Sequence, residues 1–146
     1  MSKHNIIHRN LKLENILIKY EDKEKTKYIV KISYYSAVNK SDNPSRPFSF
    51  LDISYYTAPE IIKGKGFDYK CDLWSLGIII NILYFKKNLD NEIYLNETRK
   101  LRKSRNYIFD SLMEGLLSEN PKNRLTWEDY LTHSFFTKKP KYGFNA

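Results

Sequence analysis

Between His8 and Asn15 the chain crowds together side chains of several chemistries: His8, Arg9, Asn10, Lys12 and Asn15. An ammonium such as Lys12 can meet a phosphate, and an amide such as Asn15 can offer a metal one oxygen. The amide of Asn10 has no useful basicity near neutral pH. A basic cluster, Arg99, Lys100, Arg102, Lys103 and Arg105, could meet RNA phosphates or an acidic protein surface, and Lys138, Lys139 and Lys141 add to it. No aromatic stacking motif interleaves that cluster, and basic runs on helices usually form solvated faces. The single cysteine, Cys71, excludes an internal disulfide and supplies no metal-ligand cluster.

These residues need a scaffold, and 146 residues suffice for one domain with a real core. Apolar residues make up 41% of the chain, which suits a globular protein, and the net charge of +8 permits an acidic partner without demanding one. Met1 to His8 holds no long apolar run, so no secretory signal is read there. The apolar stretch Leu76 to Phe85 is too short for a bilayer and carries Asn81. An intracellular, cytoplasmic chain is expected, and the lone cysteine fits a reducing compartment.

Short apolar runs at Leu13–Lys19 and Lys27–Ser33, separated by a charged turn, predict a β-hairpin. Ser36 to Ser54 reads as a loop. Pro59–Lys63 predicts a short helix stopped by Gly64 and Gly66, and Asp68 can cap a longer one from Tyr69 to about Phe85. That longer helix is apolar nearly all round and belongs in the middle of a domain. Further helices are expected within Glu92–Arg105 and over Tyr107–Leu117, where Ile108, Leu112 and Leu116 share a face. Thr126 and Asp129 have the spacing of a capping box that opens the last helix.

The stretch Ile7-His8-Arg9-Asn10-Leu11-Lys12-Leu13-Glu14-Asn15 resembles the catalytic loop of eukaryotic protein kinases, H-R-D-L-K-x-x-N. Lys31 to Ser36 stands where K-I-x-D-F-G belongs. Ala58-Pro59-Glu60 matches A-P-E, and Asp72 to Gly77 matches D-x-W-S-x-G. Asn120 to Thr126 and His133 to Phe136 look like the usual close of the catalytic domain. The resemblance implies a mainly α (α+β) fold: a kinase-like C-lobe over residues 1–137 with a small β-hairpin and no N-lobe, followed by a basic tail at 138–146.

The resemblance also implies roles. His8, Arg9, Glu60, Asp72, Trp74 and Arg124 would be structural. Asp72 would accept hydrogen bonds from catalytic-loop N–H groups, Glu60 would pair with Arg124, and Trp74 with the helix after it would form the lobe's central post. Arg9 would be the residue that receives a phosphate from the activation loop, with Ser41, Ser45, Ser49 and Ser54 as its possible carriers. Asn10 stands where the family has its base and Tyr34 where it has its Mg²⁺ aspartate, while Lys12 and Asn15 survive. Ser36 replaces a glycine, and Ile53 replaces the threonine whose hydroxyl usually meets the catalytic loop. No Gly-rich loop or V-A-I-K lysine precedes His8.

The expectation drawn from this is a pseudokinase, not an enzyme, that binds neither ATP nor Mg and serves as a scaffold or assembly subunit. A kinase completed in trans and a basic module for RNA or an acidic protein are the alternatives. Helices that would cover the central helix are not seen, so a protein partner over Leu76–Leu83 is expected, or else the chain is a fragment of a longer protein.

Overall fold

The computed structural model describes residues 7–33, 54–86 and 103–137. The catalytic-loop stretch leads into a single 3-10 turn at Leu13–Asn15. Strand β1 (Ile16–Tyr20) follows and pairs antiparallel with β2 (Tyr28–Ile32). The hairpin starts three residues later than Leu13, because Leu13–Asn15 closes the turn with Asn15 N–H donating to the Lys12 carbonyl at 3.0 Å. Asp22 organises the hairpin's end by accepting from the Thr26 and Lys27 backbone N–H groups. The Thr26 hydroxyl, with those backbone bonds, holds its carboxyl below its ordinary range.

After the loop come α1 (Pro59–Ile62) and α2 (Lys70–Phe85). Proline opens α1, where its missing N–H costs nothing, and Gly64 (φ 63°) takes the left-handed conformation that ends it. Asp68 does cap α2, but from one residue outside: Tyr69 is the N-cap, and the Asp68 carboxylate accepts from Lys70 N–H at 2.8 Å.

The remaining described helices are α3 (Tyr107–Leu116), α4 (Trp127–Thr132) and α5 (Ser134–Thr137). Asn106 caps α3 by accepting from the N–H groups of Ile108 and Phe109. Thr126 and Asp129 form the full capping box on α4. The bonds from Thr126 hold the Asp129 carboxyl below its usual range. Of the helix expected within Glu92–Arg105, residues 92–102 lie outside the described ones, and 103–105 are not helical.

The core lies between α2 and α3. Leu73, Ile78, Phe109, Leu112 and Leu116 are wholly buried. The buried face of α3 is Phe109, Leu112, Met113 and Leu116, while Ile108 is only half-buried. The helices approach closely at Gly77, where a Cβ would stand 2.8 Å from Leu117 Cδ2 and 2.9 Å from Leu116 Cβ. Any larger residue there would force the two helices apart. Along the Leu76–Leu83 stretch, Ile78, Ile79 and Ile82 are buried, Leu76 and Ile80 half-buried, and Leu83 60% exposed. Among the described residues no helix is long and apolar enough to cross a membrane.

Candidate functional site

The catalytic-loop stretch is shaped by a residue 64 positions away. The Asp72 carboxylate, in the first turn of α2, accepts from His8 N–H at 2.7 Å and Arg9 N–H at 2.8 Å. Burial pushes its carboxyl above the usual range, and the two N–H bonds offset part of that. The bonds hold Arg9 at φ 67°, a left-handed conformation that a non-glycine residue adopts only where its surroundings impose it. The Arg9 guanidinium lies 4.7 Å from the Phe67 ring centroid, a cation–π contact.

His8 is buried and bonds on both ring nitrogens. Asn10 N–H donates to Nδ1 at 3.3 Å, and Nε2 lies 3.2 Å from the Ser33 carbonyl. An accepting Nδ1 assigns the proton to Nε2, so His8 is a neutral imidazole that donates to Ser33. It thereby ties the catalytic loop to the end of β2. Asn15 closes the turn from the other side, its Nδ2 donating to the Asn10 carbonyl at 2.8 Å. The Asn15 carbonyl accepts from Ser33 N–H at 2.8 Å. The Asn10 backbone is thus fixed by two hydrogen bonds, and its half-buried side chain borders a cleft walled by Arg9, Ser54, Tyr56 and Thr57. Lys12 is half-buried beside it.

Behind this loop, Arg124 donates to both Glu60 oxygens, at 2.7 and 2.9 Å, with both side chains nearly sealed from water. It also donates to the carbonyls of Lys70 and Ser118, so its remaining N–H groups are satisfied. Its guanidinium carbon lies 5.1 Å from the Trp74 ring centroid. Lys70 returns the contact by donating to the carbonyls of Pro121 and Arg124, each at 2.9 Å. Neither Lys70 nor the His8–Ser33 bond was visible in the sequence, because each pairs a side chain with a remote carbonyl that any residue type provides.

Tyr34, Ser36, Ser41, Ser45, Ser49, Ile53 and the tail at 138–146 lie outside the described residues. So do Arg99, Lys100 and Arg102 of the basic cluster. Lys103 pairs with Glu114, whose carboxylate raises the ammonium's pKa, and Arg105 is exposed. Among the described residues no group of three His, Cys, Asp or Glu side chains could hold a metal. Asn15 retains its amide oxygen as one neutral donor, its Nδ2 being used on the Asn10 carbonyl.

The family model for the protein kinase domain matches residues 1–136. The chain belongs to the protein kinase family. It is 31% identical, over 94% of its length, to a "Probable cell cycle serine/threonine-protein kinase CDC5 homolog" of Encephalitozoon cuniculi. It is 35% identical over 94% to "Calcium-dependent protein kinase 5" of Plasmodium berghei, and 32% identical over 96% to "Serine/threonine-protein kinase ATG1b" of Arabidopsis thaliana. It covers 30%, 26% and 21% of those three proteins, so it spans about a quarter of the length of such relatives.

These relatives overturn the expectation that the chain is not an enzyme, because they are named as kinases across nearly its whole length. Two altered side chains do not by themselves decide activity. Phosphoryl transfer depends mainly on positioning and charge stabilisation, to which a single base contributes a part. The backbone positioning around Asn10 is fully built, and Tyr34 lies outside the described residues.

Proposed function

We propose that this chain forms the C-terminal lobe of a serine/threonine protein kinase, the part that carries the catalytic loop and receives the protein hydroxyl to be phosphorylated. The observation that carries this reading is the loop held from His8 to Asn15 by Asp72, His8 and Asn15 side chains, in a chain whose relatives are named kinases. In this reading Lys12 presents its ammonium to the phosphoryl group being transferred, and charge stabilisation there supplies much of the rate. Asn10 orients the acceptor hydroxyl through its amide without taking its proton, which makes the transfer slow. The ATP-side lobe comes from the rest of the kinase, and contact with it or with a partner protein covers the α2 face at Leu76, Ile80 and Leu83. The same surface gives the lobe a part in assembly.

The test is transfer of labelled phosphate from Mg-ATP to serine and threonine peptides. It is run on the full-length gene product and on this chain fused to the ATP-binding half of a relative's kinase domain. Transfer abolished by Lys12→Ala is the expected result. Asn10→Asp should raise kcat by about tenfold or more, since a positioned general base contributes about 10²–10⁴-fold. A folded fusion that transfers nothing with either residue at position 10 would sink the reading.

A further inference from the structure

The catalytic loop is anchored to α2 at its start by Asp72, and a second connection anchors its other end. Tyr56 is buried, and its phenol oxygen accepts from Leu13 N–H at 3.4 Å. Tyr55 supports that oxygen, its own hydroxyl donating to it at 3.2 Å, with the two ring centroids 4.2 Å apart. The Tyr56 carbonyl accepts from the Ser75 hydroxyl at 2.8 Å, and Ser75 lies one helical turn after Cys71, whose carbonyl the same hydroxyl also reaches at 3.2 Å. Thr57 closes a turn under Tyr56, its N–H donating to the Ser54 carbonyl and its Oγ1 accepting from Ser54 N–H, both at 2.9 Å.

We propose that Tyr56 is a positioning residue of the catalytic loop, carrying a relay from Ser75 on α2 to the backbone of Leu13. The Asn10–Lys12 segment is then clamped from one helix at both ends: Asp72 holds His8 and Arg9, and Ser75 acts through Tyr56 on Leu13. Leu13 directly follows Lys12, so the reach of the Lys12 ammonium depends on where the Leu13 amide is held. Ile53 stands in the place of a threonine and offers no hydroxyl, which leaves the Tyr56 phenol as the hydroxyl that the loop's amide meets among the described residues. Burial and the Tyr55 contact push the Tyr56 phenol well above its ordinary range, so it keeps its proton and neutral bonding at any working pH. The catalytic consequence rests on the kinase reading; the relay itself does not.

Tyr56→Phe removes the oxygen and keeps the ring. In the isotope-labelled chain, the Leu13 amide should exchange with solvent about fivefold to tenfold faster and its proton should move upfield, as loss of one hydrogen bond requires. The His8 and Arg9 amides, bonded to Asp72, should not change. Ser75→Ala should loosen Leu13 by a smaller factor, and the combined variant should be no looser than Tyr56→Phe, because both act through one route. In the phosphoryl-transfer assay, kcat should fall by a similar factor with the peptide KM unchanged. An unchanged Leu13 amide in Tyr56→Phe overturns the proposal, as do additive effects of the two substitutions. If no transfer is seen from the wild-type protein, the kinase reading fails while the Leu13 measurement still decides the relay.

Discussion

The β1–β2 hairpin and the α2–α3 pair are both rich in apolar side chains, yet they use them in opposite ways. In the hairpin, Ile16 faces Ile32, Ile18 faces Val30 and Tyr20 faces Tyr28, so one side of the ribbon is wholly apolar. Nearly all of those side chains are about half exposed. In the helical pair, Leu73, Ile78, Phe109, Leu112 and Leu116 are sealed, and Gly77 lets the backbones come close enough to do it. A two-stranded ribbon has no second layer of its own and is marginal alone, whereas two helices cover each other. Apolar content therefore does not measure stability here; layering does. The catalytic-loop stretch sits between the regions, bonded to α2 through Asp72 and to the end of β2 through Ser33.

The contrast is sharpest where the helical region contains charge. Arg124→Ala would leave Glu60 buried without its partner, and unfolding by urea should show a loss of about 3–5 kcal/mol. A loss under about 1 kcal/mol would mean water reaches the pair and the region is looser than its burial implies. Next in size is a direct comparison of the two regions. Leu112→Ala should cost about 2–5 kcal/mol, because Leu112 is fully enclosed between α2 and α3. Ile18→Ala in the exposed hairpin should stay within about 0.5 kcal/mol. Equal losses at the two sites would break the comparison and place a cover over the hairpin.

The smallest effect concerns α4. Asp129 has a lowered folded-state pKa, so its contribution is present above the ordinary carboxylate value and is lost as pH falls through the folded one. Asp129→Asn should lower the melting temperature slightly at neutral pH, and that difference should shrink to nothing in acid. A difference that persists in acid would mean the cap works without its charge.

Local features were the ones legible in the chain. Thr126 and Asp129 sit three apart, and their box involves nothing else. The hairpin and α1 were read from runs and breakers, with errors of a few residues where the Leu13–Asn15 turn intrudes. Contacts across the fold were a different matter. Glu60 and Arg124 stand 64 residues apart and could be connected in the sequence only through the family resemblance. The Tyr56–Leu13 bond ends on a backbone N–H, which leaves no trace in residue type. Periodicity likewise shows which face of the hairpin is apolar but not whether anything lies against it. The kinase family is legible in the motifs, but the expectation that the chain is not an enzyme fails for a related reason: substitutions at Asn10 and Tyr34 are visible as letters, whereas the positioning built around Asn10 exists only in three dimensions.

The dependence of His8 and Arg9 on Asp72 also bears on how the protein is made. The loop leaves the ribosome before its shaping carboxylate, which follows 64 residues later, and Arg124, which braces the helix bearing that carboxylate, comes later still. Closing contacts so distant in sequence is slow, and it must precede any reward from them. A nascent chain therefore carries the loop's residues for a time without the bonds that shape them. A chain stalled before Asp72 would hold every residue from His8 to Asn15 and still lack the two bonds that shape the stretch.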